Sequence, residues 1–401
     1  MQITIFLLLV SVFFILTFFY LVRCFLLIFK PKNKFIVWSS VFFYMILIVS
    51  GFFGNRLTRM QKITLPDNFS QLEWMSYFLL GLLLVLVTLF FIADSLLIIR
   101  RIIYFFKRKN YIDELKKQSD DENIHNGRRR FLFTMASVVA FCLFGRAYTN
   151  ARRTPNVKNV IVPIEKLHPD LKSFSIVQLT DFHIGITIDK EYVERVVEKV
   201  NELNADIIVI TGDLIDGYVS KLKDWVSPLE RLKAKRGLFY VNGNHEYYWG
   251  ANGWARYMEE IGFTFLENEH RLIKIGRSLV VIGGVTDLHA ERFNRAQKCS
   301  PKKSIIGAPK LADLKVLLAH QPITAYDSAD LDYYNLQLSG HTHGGQLWPG
   351  TWLIHLIQPF HPGLTMYQKM WVYVSRGTGY WGPPVRLDAD SEITHISFER
   401  A

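Results

Sequence analysis

The sequence predicts an α/β domain preceded by an all-α membrane region, and three observations carry that reading. Three apolar runs, residues 3–22, 35–54 and 75–99, are each long enough to cross roughly 30 Å of hydrocarbon as a helix. From residue 173 onward, short β-branched runs alternate with amphipathic stretches, 174–179, then 190–203, then 206–210, which is an α/β alternation. The charge is also divided: residues 1–150 hold 18 Lys and Arg against 8 Asp and Glu, whereas residues 151–401 hold 29 against 28. Nearly all of the net +11 therefore belongs to the apolar part, where it reads as a topology signal.

The membrane region comes first in the chain. Asp94 interrupts the third run. A carboxylate in hydrocarbon is costly, so it marks either a functional position or one close enough to the helix end to reach water. A fourth run, 131–145, is short for a span and follows Arg128, Arg129, Arg130, Phe131 and Leu132. That arrangement resembles a twin-arginine export signal, and it equally suits a short membrane helix with a positive flank. Lys30, Lys32 and Lys34, then Arg100, Arg101, Lys107, Arg108, Lys109, Lys116, Lys117 and Arg128 to Arg130, place the two basic loops in the cytoplasm. The N-terminus and everything after residue 150 then face outward, against the weaker pull of Arg146, Arg152 and Arg153. The expected organisation is a three-span region at 1–106, a basic cytoplasmic linker at 107–130, a fourth apolar segment at 131–154 and a soluble domain at 155–401, in a multi-pass protein of the cell membrane.

In the soluble part, further strands are expected at 238–241, 279–282, 315–318, 335–338, 371–374 and 393–398. Segment 345–370, rich in Gly, Pro and aromatic residues without periodicity, reads as a long ordered loop of the kind that borders active sites. The near-neutral charge of this domain argues against nucleic acid as a partner, because counterion release needs a basic face. Cys24, Cys142 and Cys299 are too dispersed for a disulfide framework or a Cys-rich zinc site.

Five polar clusters directly follow apolar strand candidates: Asp181-Phe182-His183, Gly212-Asp213, Gly243-Asn244-His245, Ala319-His320 and Gly340-His341-Thr342-His343. Loops leaving the carboxyl ends of strands gather on one edge of an open α/β sheet, so residues distant in sequence converge there. The donors are carboxylates, imidazoles and an amide oxygen, a set that suits Mn, Fe or Zn in a catalytic centre. Seven candidate ligands, Asp181, His183, Asp213, Asn244, His320, His341 and His343, exceed what one ion with open positions uses. Two ions sharing Asp213 fit better. Gly212, Gly243 and Gly340 each precede a polar residue, where the backbone turns sharply or passes close to a neighbour. A lone Asp-x-His or Gly-Asp is a weak signal, and a single histidine is more often a surface or core residue. Joint occurrence behind five strands is what distinguishes this set.

In this order, D-x-H, G-D, G-N-H-E, an isolated His and G-H-x-H resemble the calcineurin-like metallophosphoesterase family over about residues 172–399. The strings Ser339 to Gln346 and Val374 to Gly379 are similar to its bacterial, membrane-associated YkuE/YaeI-like branch; the approach to the last strand, Asp390 to Ile393, departs from that branch without touching a candidate ligand. The resemblance implies a four-layer αββα sandwich of two mixed sheets, with two divalent metal ions as cofactors. It implies that Asp181, His183, Asp213 and His343 hold one ion, that Asp213, Asn244, His320 and His341 hold the other, and that His245 is catalytic at the leaving oxygen. The reaction implied is hydrolysis of a phosphodiester, phosphomonoester or pyrophosphate by water activated between the ions. Substrate and membrane are then the expected partners, with a lipid-linked or envelope phosphoester as one substrate class. Arg376 reads either as a distal phosphate clamp or as a structural ion-pair partner. Among the remaining histidines, His361 is the one best placed by sequence to line the pocket. The competing class is a membrane scaffold or sensor that binds a phosphorylated ligand without turnover; three or four spans give little support to a transporter.

Overall fold

The computed structural model describes residues 2–61, 68–108 and 118–401, with side chains described at 11–50, 70–103, 106 and 127–401. The chain divides into two compact units, Met1–Arg146 and Ala147–Ala401.

The first unit contains helices α1 (Gln2–Phe29), α2 (Lys34–Gln61), α3 (Asn68–Arg108) and most of α4 (Gln118–Arg152). A helix satisfies its own backbone polar groups, which is the condition for crossing lipid. Three stretches, Ser11–Phe29, Ser70–Ile103 and Gly127–Arg152, are long and apolar enough to do so. The part of α2 with described side chains, Lys34–Ser50, is a shorter apolar helix. Two sequence expectations are revised here. The third apolar stretch extends beyond 75–99, because Arg100 and Arg101 end the hydrophobic run but, as good helix formers, not the helix. The fourth extends beyond 131–145 in both directions, so the short run is the middle of a helix long enough to span. Lys109, Lys116 and Lys117 lie outside the described residues. Asp94 does not reach toward water alone: Arg23 donates to it at 2.7 and 3.1 Å, Tyr20 at 3.1 Å and Arg129 at 3.4 Å.

The second unit is built on two six-stranded sheets. The first has the order β1 (Asn156–Ile164), β12 (Glu392–Arg400), β2 (Ser175–Leu179), β3 (Ile207–Thr211), β4 (Gly237–Val241), β5 (Thr264–Phe265). The second runs β10 (Gly363–Tyr367), β11 (Met370–Val374), β9 (Leu336–Ser339), β8 (Leu314–Leu318), β7 (Ser278–Gly284), β6 (Glu269–Ile275). Strands β2 to β5 are mutually parallel, as are β7, β8, β9 and β11.

Period-two alternation builds the layers. Ile207 and Val209 of β3 join Val280, Ile282, Val316 and Leu338 in the core between the sheets. Ile208 and Ile210 face the opposite way and pack under α5 (Lys190–Asn201), α6 (Val219–Val226) and α8 (Ala251–Glu260), which follows the short α7 (Asn244–Trp249). Short helices α10 (Pro301–Ser304) and α11 (Ala325–Ala329) belong to the second sheet's side, where Ala325, Ala329 and Val372 share a core cluster, while α9 (Ala290–Phe293) packs Ala290 with Tyr247 and Ala251 of α7 and α8. Two mixed sheets with flanking helices make the four-layer sandwich that the family resemblance implies.

Segment 345–370 is not the long loop expected. It contains α12 (Gly350–Ile357) and β10. Its helix escaped the sequence reading because it has no polar face to set against its apolar one: Trp352, Leu356 and Ile357 are 60%, 68% and 70% exposed.

Candidate metal centre

Strands β2, β3, β4, β8 and β9 end at Leu179, Thr211, Val241, Leu318 and Ser339, and the five polar clusters follow directly. Cross-loop backbone bonds tie these ends together: Asp181 N–H to Gly212 O at 3.0 Å, His183 N–H to Asp213 O at 3.1 Å and Gly340 N–H to His320 O at 3.0 Å. Glu246, fully buried, adds a third clamp. Its carboxylate accepts from the backbone N–H groups of Gly243 at 2.6 Å, Leu214 at 2.7 Å and Asp213 at 3.0 Å, joining the loops after β3 and β4. Burial, then the charge of Asp213, pushes the Glu246 carboxyl up to about 7. Two glycines are required by this closeness. Gly212 has φ +87°, and a Cβ there would lie 2.6 Å from Gly243 Cα; a Cβ on Gly340 would run into the Asp181 carboxylate and the Thr180 hydroxyl.

The candidate donors converge in three overlapping groups: Asp181 with His183 and His343; His183 with Asp213 and His245; Asp213 with His320 and His341. Asp213 is common to the last two, and His183 to the first two. Within them His183 Nε2 lies 3.0 Å from His343 Nε2, His320 Nε2 3.1 Å from Asp213 Oδ2, and His341 Nδ1 3.1 Å from His320 Nε2. Asn244 is 5% exposed, and its Oδ1 is buried without a hydrogen-bond partner among the described residues. An orphaned acceptor of that kind is costly unless something occupies it.

The electrostatics hold Asp213, His341 and His343 in ligating form, whereas burial raises the Asp181 carboxyl, and Asp213 outweighs burial to raise His320 well above the usual imidazole range. Burial opposes the charge on Asp213, but His320, His245 and His183 outweigh it and hold the carboxyl well below the usual range. Burial, then the neighbouring His320, pushes His341 down to about 3; burial, then His183 and Arg386, lowers His343 as well. Neutral imidazoles carry the lone pair that a metal needs. His320 Nδ1 lies 2.8 Å from Thr211 O, so Nδ1 is the protonated nitrogen and Nε2 is left as donor. Arg386, also fully buried, places Nη2 3.1 Å from His343 Nδ1 and bonds the carbonyls of His343, Gly379, Ala389 and Arg376. These residues fit divalent cations, by the orphaned Asn244 oxygen and by a donor set of carboxylates and imidazoles.

Six of the seven candidate ligands, and His245, lie in the three donor groups, and Asn244 precedes His245 directly in the chain. His245 packs edge-on to His183 at 4.5 Å between ring centroids, and its backbone N–H donates to Asp213 Oδ1 at 2.8 Å. Three participants went unnoticed. Asp216 faces His245 Nδ1 at 2.5 Å and His183 Nδ1 at 3.3 Å, and its carboxyl is held well below the usual range as these imidazoles overcome the cost of burial. The other two are Glu246 and Arg386. The spacing Asp213-Leu-Ile-Asp216 at a strand end was the available signal for the first; Arg386 left none. Arg376 bonds Glu392 and Arg386 through its backbone. His361 packs against His355 at 4.4 Å, whereas His289 lies 3.5 Å from both Asp287 and Gln321, next to His320. Of the aromatics around the site, Tyr247, Trp249 and Trp254 are core residues. Tyr248, Trp348, Trp352 and Trp381 are exposed, with Tyr248 and Trp381 5.3 and 5.8 Å from the His245 ring.

A model of the calcineurin-like phosphoesterase family matches residues 174–345, which include all of the clustered donors. The chain is 34% identical to a transmembrane protein with metallophosphoesterase domain from Danio rerio, over 71% of this chain and 67% of that protein. It is 37% identical to an uncharacterized metallophosphoesterase of Campylobacter jejuni, over 67% of this chain and 70% of that protein. With an uncharacterized metallophosphoesterase of Bacillus subtilis it shares 29% identity over 66% of this chain and 98% of that protein. Strand order, converging donors and these relatives agree, and the chain belongs to the calcineurin-like metallophosphoesterase family.

Proposed function

We propose that this protein is a membrane-anchored phosphoesterase that uses two divalent metal ions. The observation that carries the reading is the position of Asp213, shared between two donor groups whose remaining members come from different strands. Asp181, His183, Asp213 and His343 would hold one ion; Asp213, Asn244, His320 and His341 would hold the other. Bound there, divalent ions supply Lewis-acid chemistry, lowering the pKa of water and offsetting charge on phosphoryl oxygens.

The chain's own residues do the rest. Asp216 fixes the His245 ring through Nδ1, so that Nε2 is the nitrogen that would deliver a proton to the leaving oxygen. Glu246 keeps the loops after β3 and β4 at one spacing. Exposed Trp348, Trp352 and Trp381 favour an amphipathic, lipid-linked or envelope phosphoester, since such rings suit a surface that is apolar on one side and wet on the other. The basic flanks at Lys30 to Lys34 and Arg128 to Arg130 favour a multi-pass arrangement with the catalytic unit on the outer side.

The test is hydrolysis of bis(p-nitrophenyl) phosphate by the full-length protein in detergent with Mn²⁺. Activity is expected in the parent and a loss of at least about 100-fold in Asp213→Asn, on the scale of a lost catalytic-site interaction. Equal rates in the two proteins reject the assignment. Metal-dependent binding of a phosphorylated ligand with no product over long incubation would instead identify a sensor.

A further inference from the structure

The first unit contains a second place built for a phosphate, far in sequence from the metal donors. A cavity of about 570 Å³ opens among α1, α2 and α4, with Arg23, Lys34 and Arg129 in its wall beside Phe19, Leu26 and Trp38. Two of these three cations meet one carboxylate: Asp94 binds Arg23 through both guanidinium Nη atoms and Arg129 at 3.4 Å. Lys34 has no ion-pair partner among the described residues, and Arg129 Nε is buried without a hydrogen-bond partner among them. Arg23 and Arg129 also lie within stretches apolar enough to span a membrane. Cations in such segments are retained when an anion meets them, and Asp94 supplies only one charge.

The shape of the surplus identifies the missing anion. Arginine forks match phosphate oxygens and lysine adds a point charge, so the polar wall suits a phosphate group. Phe19, Leu26 and Trp38 on the other wall suit hydrocarbon. One molecule with a phosphate at one end and acyl chains at the other satisfies both. We infer that this cavity binds the headgroup of an anionic phospholipid, which neutralises the cations that Asp94 leaves unpaired. The site is separate from the metal centre and does not depend on the proposed hydrolysis.

The experiment uses full-length protein in a neutral maltoside detergent, titrated with phosphatidylglycerol, phosphatidylcholine or inorganic phosphate. Binding is read by native mass spectrometry and thermal stability by melting. Phosphatidylglycerol should remain bound one per chain and raise the melting midpoint, while phosphatidylcholine and phosphate should do neither. Lys34→Gln lies outside the Asp94 network and should leave the fold intact while weakening phosphatidylglycerol about fivefold, the factor that corresponds to about 1 kcal/mol per basic residue at an anionic lipid surface. Arg129→Gln added to it should weaken binding further, and Arg128→Gln, outside the cavity, should stay within about twofold, as an exposed charge does. Should Arg129→Gln fail to fold, the Lys34→Gln result decides. Equal retention of both lipids, or unchanged binding in Lys34→Gln, overturns the inference. Saturation by inorganic phosphate alone also overturns it, in favour of a soluble-phosphate site.

Discussion

Replacing Asp216 with Asn tests whether the metal centre depends on a residue that holds no metal. The carboxylate faces two imidazoles through the same nitrogen, His245 Nδ1 at 2.5 Å and His183 Nδ1 at 3.3 Å. It hydrogen-bonds His245 Nδ1 and fixes that ring, and it lies against His183 Nδ1 as a neighbouring charge without a hydrogen bond. An amide presents one oxygen and one NH₂ group without charge, so in Asp216→Asn the His245 ring loses its charged partner and His183 its neighbouring charge. A hydrogen bond to a charged group is worth about 1.5–3 kcal/mol, which is about ten- to 150-fold in a rate or a binding constant. The assay is kcat/KM for bis(p-nitrophenyl) phosphate across a Mn²⁺ titration, with bound metal measured in the same samples. If the His183 contact dominates, metal affinity falls by about 10- to 100-fold and saturating Mn²⁺ restores the rate. If the His245 contact dominates, metal content stays near the parent's and kcat carries the loss. A kcat/KM within about twofold of the parent, with metal content unchanged, refutes the positioning role assigned to Asp216.

Arg386→Met should destabilise the second unit by about 3 kcal/mol, because it removes a buried guanidinium and leaves the carbonyls of Gly379, His343, Ala389 and Arg376 without that donor; a shift below about 1 kcal/mol in urea unfolding would contradict this. Gly340→Ala should cost about 1–3 kcal/mol by overpacking and weaken metal retention, since its Cβ meets the Asp181 carboxylate. Gly250→Ala, where φ is +95° and nothing lies within 4 Å, should carry only backbone strain and keep full activity. Burial pushes the Cys299 thiol up to about 12, so at pH 8 only about one in ten thousand is thiolate. Iodoacetamide should therefore modify Cys299 far more slowly in the folded protein than after denaturation, as read by peptide mass spectrometry; equal rates would place this thiol at the surface.

The legible parts of the fold share a physical property. Strands β2, β3, β4, β8 and β9 are largely covered on both faces, so each reads as a mostly apolar run, broken in β2, β8 and β9 by Gln178, Lys315 and Gln337, before the polar loop begins. The strands that went unread lie at sheet edges. β1 has the burial of an edge, with Asn156, Asn159 and Ile161 exposed, and β6 exposes Arg271, Leu272 and Lys274. Alternation fails as a signal when both faces see water or when apolar residues face outward, as in α12. The candidate donors were readable because each follows a readable strand. Arg386 was not, because its importance comes from partners such as His343, 43 residues earlier, that only the folded topology delivers.

Backbone conformation was hidden from the sequence as well, and it bears on why these loops exist in this form. Asp181, His183, Asp213, His341 and His343 all have φ between +49° and +71°. Each costs of order 1–3 kcal/mol for a residue with a Cβ, and in a loop selected for stability alone Gly or Asn would be the relaxed choice. The conformations are held by bonds between loops: Asp181 and His183 donate to the carbonyls of Gly212 and Asp213, and both Asp181 oxygens accept from the N–H of His341 at 2.9 Å. No single loop could keep this arrangement by itself, so the five are interdependent, and Glu246 and Arg386 lock them from the buried side. Strain at consecutive alternate residues, Asp181 with His183 and His341 with His343, lets one short loop send two side chains into the same cluster. A purely structural rim would gain nothing from that geometry. A centre that must gather carboxylate and imidazole donors from two sheets requires it.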